Sequence, residues 1–221
     1  MGQSGAFCDN ALKMGVDLCQ VDMAILSHGH YDHGGGLALF LQRNHHAPVY
    51  VSRYAFEPHY NGADRYIGLD LKLAASDRLV WVEDVMELDE GLRLYSGNGW
   101  DRPYPTDPFG LKDGDLRPDD FRHEQYLLVE ERGKRVCFSG CSHKGILNVA
   151  QWFRPDVLVG GFHFKGVDPE SQMLAEAARI LLEHPTVYHT GHCTGEAQYR
   201  RMEGVMGRRL QAFSTGAVIE F

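Results

Sequence analysis

Six consecutive positions, His28-Gly29-His30-Tyr31-Asp32-His33, carry three imidazoles and a carboxylate, and three glycines follow directly, Gly34 to Gly36. Neutral imidazole and carboxylate are ligands for zinc-like ions, and two such ions can share a water and make it a nucleophile near neutral pH. The apolar run at residues 21–26 reads as a buried strand whose end would hold these ligands rigidly, while the glycines let the chain turn tightly behind them. A solvated histidine-rich loop is the bland alternative, and it lacks both the alternating pattern and the preceding strand. One segment cannot complete a four- or five-coordinate site, so further ligands must come from later loops. His143 and His192 each follow an apolar strand with a glycine close by, which places both imidazoles at strand ends. For either, a core histidine bonded to backbone is the competing reading.

The spacing His28-x-His30-x-Asp32-His33 resembles the HxHxDH signature of the metallo-β-lactamase fold superfamily, mostly hydrolytic enzymes with one or two metals held by loops of two β-sheets. Four further stretches resemble one branch, the dihydropterin-methyl-aminobenzene-phosphate synthases: Gly2-Gln3-Ser4-Gly5, Ser139-Gly140-Cys141-Ser142-His143, Gly160-Gly161-Phe162-His163 and Gly191-His192-Cys193-Thr194-Gly195. The resemblance implies a mixed α/β fold, a four-layer αββα sandwich, over a single domain of residues 1–221. In that branch Gly2-Gln3-Ser4-Gly5 follows the strands that open the first sheet. The opening strands are therefore expected to be missing here, with a longer native N-terminus or a second copy, making a homo-oligomer, covering the exposed edge.

The resemblance also assigns roles. It places His143 and His192 at the later metal-motif positions, and it puts Cys141 where many members carry a metal-bridging aspartate. A Cys141 thiol there would leave a two-metal centre more positive by one charge and favour an anionic substrate; a thiolate would itself be a ligand. His123 precedes the hairpin where another ligand often sits, and His163 reads as a neighbour of the metals or of the substrate. His189 reads as structural, whereas His45, His46, His59 and His184 have no ligand-like setting.

The elements that must position these groups alternate without internal repeats. Helices are expected at residues 6–14, 36–43, 145–153 and 196–202. Strands are expected at 48–51, 79–85, 92–95, 125–129, 135–139, 156–160, 186–190, 210–214 and 217–219. Met173, Ala177, Ile180 and Leu181 mark one face of an amphipathic helix. Residues 54–77 are rich in aromatic and basic side chains, and residues 97–122 form a long proline-bearing loop. There Tyr66 and Trp100 could stack on a flat group while Arg65 or Arg102 holds an anion. Ordinary surface loops pinned by aromatics explain the same residues equally well.

Composition bounds the function. With 221 residues, 43% hydrophobic and 24% charged, the chain suits one large α/β core. A net charge of −8 argues against a nucleic-acid partner, since phosphate backbones require a basic face. No apolar run approaches the length that spans a bilayer, and no signal-peptide pattern opens the chain, so a cytoplasmic protein is expected. Its five cysteines fit neither a redox pair nor a zinc knuckle, and reduced thiols are the expected state.

These observations assemble into one mechanism. His28, His30 and His143 would hold one divalent ion and Asp32, His33 and His192 another, zinc before manganese or iron, with Asp32 also orienting the attacking water. The leading function is hydrolysis of a small anionic ester such as a phosphoester. Joining a pterin diphosphate to an arylamine is the alternative that the branch resemblance carries. A non-hydrolytic metal-binding or redox module is the third.

Overall fold

In a computed structural model, which describes residues 1–220, the apolar run at 21–26 forms strand only at Ala24–Ile25 (β1). It pairs on one side alone, in parallel with Val49–Ser52 (β2), through Ala24 opposite Val49 and Ile25 opposite Tyr50. Pairing stops there because the chain must turn into the histidine loop, where the backbone N–H of Gln125 donates to Ser27 O at 2.8 Å.

Helix α1 (Ala6–Lys13) precedes β1, and α2 (Tyr31–Gly34) and α3 (Leu37–Arg43) follow it. After β2 come β3 (Tyr60–Asn61), β4 (Arg65–Tyr66), β5 (Leu79–Val82), β6 (Val85–Asp89), β7 (Leu92–Tyr95) and β8 (Leu111–Lys112). The remainder runs β9 (Tyr126–Glu131), β10 (Lys134–Phe138), α4 (Ile146–Phe153), β11 (Val157–Val159), α5 (Gln172–Leu182), β12 (Val187–Thr190), α6 (Glu196–Met206) and β13 (Leu210–Ala212).

The chain divides into two units, Met1–Val85 with Gly110–Gln125, and Met86–Phe109 with Tyr126–Phe221. The first holds two three-stranded sheets, β1-β2-β5 and β4-β3-β8. Its core gathers Leu26, Leu37, Phe40, Val49, Val51 and Leu69. Buried Asn44 ties this core to the loop before β1, its amide donating to Leu18 O and Val21 O at 2.9 and 2.8 Å.

The second unit is built on one seven-stranded sheet, β13-β12-β11-β10-β9-β7-β6, with β10 to β13 mutually parallel. The β9–β10 hairpin is tighter than the gap between the strands expected at 125–129 and 135–139. Arg132 and Gly133 both take positive φ, 50° and 76°, and Glu131 pairs with Lys134, as a two-residue turn requires.

Helix α5 corrects one expectation. Leu174, Ala177, Ala178 and Leu181 are its inward stripe, whereas Met173 is 45% exposed and Ile180 half-buried. The apolar surface is wider than one packing face, and its Met173–Ile180 edge lines a cavity. Ser171 caps this helix by accepting from Met173 N at 3.2 Å, and Leu174 and Leu181, fully buried, each contribute roughly 1.5–3 kcal/mol of burial. No strand forms at residues 217–219, since the chain turns after β13. Among the described residues, no helix is long and apolar enough to cross a membrane.

Candidate metal centre

In the first unit the histidine loop leaves the C-terminal end of β1 and enters α2, with His30 as the residue before the first turn. The His28 and His33 rings lie 4.0 Å apart between centroids, and His28 and His30 lie 4.8 Å apart, edge to face. Ser27 Oγ stands 3.1 Å from His28 Nδ1 and 3.4 Å from His33 Nδ1, and His33 Nε2 stands 3.8 Å from Asp32 Oδ2. The four side chains expected from the signature therefore converge as the spacing implied.

Gly29 is needed between them on steric grounds. A Cβ there would run into the Ala55 carbonyl, 2.9 Å from its carbon and closer to its oxygen. The Gly29 N–H also donates to His123 Nδ1 at 2.9 Å.

A second ring of donors surrounds His30. His30, His59, Asp119 and His123 are all buried, and their ligand atoms lie within 4.8 Å of one another, which fits a divalent metal site. His59 Nδ1 is 2.9 Å from Asp119 Oδ2, and His123 Nε2 is 3.4 Å from the same oxygen. Burial works to raise the Asp119 carboxyl, but the hydrogen bonds from His123 and His59 outweigh it and hold it far below the usual carboxylate range. Burial, then the neighbouring His123 and His59, hold His30 well below the ordinary histidine value, so its ring stays neutral with a lone pair to give.

Two corrections follow. His59, expected to have no ligand-like setting, sits inside this cluster, and Asp119 was not singled out at all. Strand pairing brings them together: β3 pairs with β8 through Tyr60 opposite Lys112, and Asp119 N donates back to Leu111 O at 3.1 Å.

In the second unit, His143, His163 and His192 follow β10, β11 and β12, three adjacent parallel strands, and so share the C-terminal edge of that sheet. The His143 and His163 rings lie 4.3 Å apart, and Cys193 Sγ approaches Cys141 O at 3.7 Å. Ser142, His163 and His192 hold φ of 55°, 54° and 52°, a left-handed backbone that non-glycine residues adopt at a cost and that clusters where geometry is imposed. His143 and Cys141 are buried, while His192 is exposed. His189 lies mid-strand and buried, and burial lowers its pKa.

The same unit contains a cavity of about 640 Å³. Tyr104, Phe109, Phe162 and Phe164 supply aromatic lining, Met173 and Ile180 add aliphatic lining, and the adjacent His143 and His163 are among its polar residues. Its charged lining residues are Asp107 and Glu176; no lysine or arginine lines it. Arg65, Tyr66, Trp100 and Arg102, expected to bind substrate, do not line this cavity. Arg65 donates to Tyr31 Oη at 3.0 Å on the surface, and the Tyr66 hydroxyl donates to Leu69 O at 2.7 Å. Trp100 packs on Tyr95, Trp152 and Phe153, and Arg102 is half-buried.

Comparison with known proteins accords with this geometry. A model of the metallo-beta-lactamase superfamily matches residues 4–192. An uncharacterized protein of Methanocaldococcus jannaschii is 30% identical over 156 residues, 66% of this chain, and the match spans only 59% of that protein's length. The 7,8-dihydropterin-6-methyl-4-(beta-D-ribofuranosyl)-aminobenzene-5'-phosphate synthase of the same organism is 21% identical, with 96% of this chain and 79% of that one covered. The crystal structure of a metal-dependent hydrolase of the beta-lactamase superfamily covers all of this chain at a TM-score of 0.82, with 26% identity and 86% of its own length matched. With the signature residues converged in the first unit and this fold matched along its whole length, the chain belongs to the metallo-β-lactamase superfamily.

Proposed function

We propose that this chain is a metal-dependent hydrolase of a small ester, acting with zinc ions held by the signature histidines. The observation that carries the reading is the convergence of His28, His30, His33 and Asp32 at the end of β1, with His30 kept neutral by burial. His143 and His192 join the ligand set on the strength of their motifs, completing two ions. When bound, a divalent ion supplies the Lewis acidity that makes water nucleophilic near neutral pH. The chain's own groups then orient and deprotonate. Asp32, partly open to solvent, accepts a proton at Oδ2 and holds the attacking water toward the ester.

The cavity refines the substrate. Its aromatic and acidic lining suits an uncharged, flat or apolar portion, so anionic character is confined to the reacting ester group.

A matched series of phosphodiesters, carboxylic esters and lactones, each bearing an aryl or a charged substituent, tests the reading on the zinc-loaded chain. Turnover favouring the aryl members and abolished by Asp32→Asn supports it; no turnover of any ester at full metal occupancy refutes it. The similarity to the synthase favours a second reading, condensation of a pterin diphosphate with an arylamine, and product formation from that pair alone would establish it.

A further inference from the structure

We infer that His59 is a metal ligand outside the HxHxDH signature, acting through Nε2, with Asp119 and His123 as its positioning residues rather than ligands. The inference rests on the reading above that the signature histidines hold a metal.

Proton bookkeeping around Asp119 decides which nitrogens have lone pairs. A carboxylate oxygen accepts, and Asp119 faces donors on both oxygens, so the proton in its 2.9 Å bond with His59 belongs to His59 Nδ1. Its other oxygen, Oδ1, accepts from Phe121 N at 2.7 Å, which fixes the carboxylate plane. His123 is committed differently. A backbone N–H is always a donor, so His123 Nδ1 must accept from Gly29, and its proton must sit on Nε2, facing Asp119 at 3.4 Å. A neutral His123 cannot keep the Gly29 bond and also present Nε2 to a cation.

His59 is the opposite case. With Nδ1 protonated, the neutral ring carries its lone pair on Nε2, an atom that is buried and has no hydrogen-bond partner among the described residues. The His59 ring stands 5.6 Å from that of His30, edge to face. An imidazole whose Nδ1–H is held by a carboxylate, which leaves the Nε2 lone pair for a cation, is the arrangement that orients metal-binding histidines. Asp119 therefore does for His59 what an outer carboxylate does in a zinc site, and the chain Gly29–His123–Asp119 anchors that carboxylate to the signature loop itself.

Cobalt(II) and zinc titrations of the full chain, with a chelator as competitor, test this for the wild type, His59→Phe and Asp119→Ala. His59→Phe should lower cation affinity roughly 10–100-fold and change the cobalt ligand-field spectrum, with Asp119→Ala showing a loss of the same order. The metal-free melting temperature of His59→Phe should fall as well, since phenylalanine leaves buried Asp119 without its 2.9 Å donor, so affinities are compared at a temperature where both metal-free proteins are folded. Nitrogen NMR of the wild-type imidazoles gives a second measurement that needs no variant: zinc should move the His59 Nε2 resonance and leave Nδ1 protonated. Equal affinity in His59→Phe, or a His59 Nε2 signal unmoved by bound zinc, overturns the inference alone. A wild type that binds no cation overturns the functional reading as well.

Discussion

Substituting Gly29 by alanine isolates the steric argument for the signature loop. The new Cβ would lie 2.9 Å from the Ala55 carbonyl carbon and 3.1 Å from its Cα, with the carbonyl oxygen closer still. These are backbone atoms, so relief requires the loop to move by roughly half an ångström or more, an overpacking strain of about 1–3 kcal/mol. The same movement stretches the 2.9 Å bond from Gly29 N–H to buried His123, and leaving that pair unmade costs about 1–3 kcal/mol more. The total, roughly 2–6 kcal/mol, corresponds to a fall in melting temperature of about 4–24 °C for a chain of this size. Scanning calorimetry of the metal-free protein measures it directly. Cobalt binding by the same variant should weaken too, because His28 and His30 flank the displaced residue. A variant melting within about 1 °C of the wild type would show that the Ala55 contact does not constrain the loop, and the account of Gly29 would fail.

Gly204, exposed within α6 with open space where a side-chain methyl would stand, is the contrasting case: Gly204→Ala should stabilise the chain by about 0.5–1 kcal/mol in the same calorimetry. Burial pushes the Tyr188 hydroxyl, which donates to Leu181 O at 2.9 Å, from 10.0 up to about 12. Below pH 10 both folded and unfolded chains keep this proton, and between 10 and 12 only the folded chain does; stability should fall over that window by roughly 2–3 kcal/mol, a slope that Tyr188→Phe removes in alkaline urea titrations. Burial likewise raises the Cys137 thiol in β10, so timed iodoacetamide labelling read by mass spectrometry should modify exposed Cys19 in the folded chain and Cys137 only after unfolding.

The signature was readable because its ligands are neighbours in sequence, where a loop after a strand holds them at fixed spacing. His143 and His192 announced themselves the same way, each just past an apolar strand, and the structure sets both at one sheet edge. His59 and Asp119 lie sixty positions apart, and only the β3–β8 pairing puts them in contact, through two-residue strands too short to leave an alternating pattern. The position of His123 before the hairpin left its role open, since its tautomer depends on Gly29, which no pattern reveals. Element boundaries followed hydrophobic runs where a segment has strand neighbours on both sides, as in β9 and β10. They failed where pairing stops early, as in β1; on α5 it was the choice of buried face that failed, because apolar side chains there line a cavity.

The interrupted layout of the first unit has a consequence for synthesis. Its chain departs at Val85 and returns only for Gly110–Gln125, the stretch carrying Asp119 and His123. A ribosome delivering this polypeptide from its amino end must therefore release the signature loop well before the carboxylate and imidazole that buttress it exist. Until residue 125 has emerged, the nascent histidines lack their scaffold, and any ion they meet encounters a flexible peptide rather than a preformed cradle.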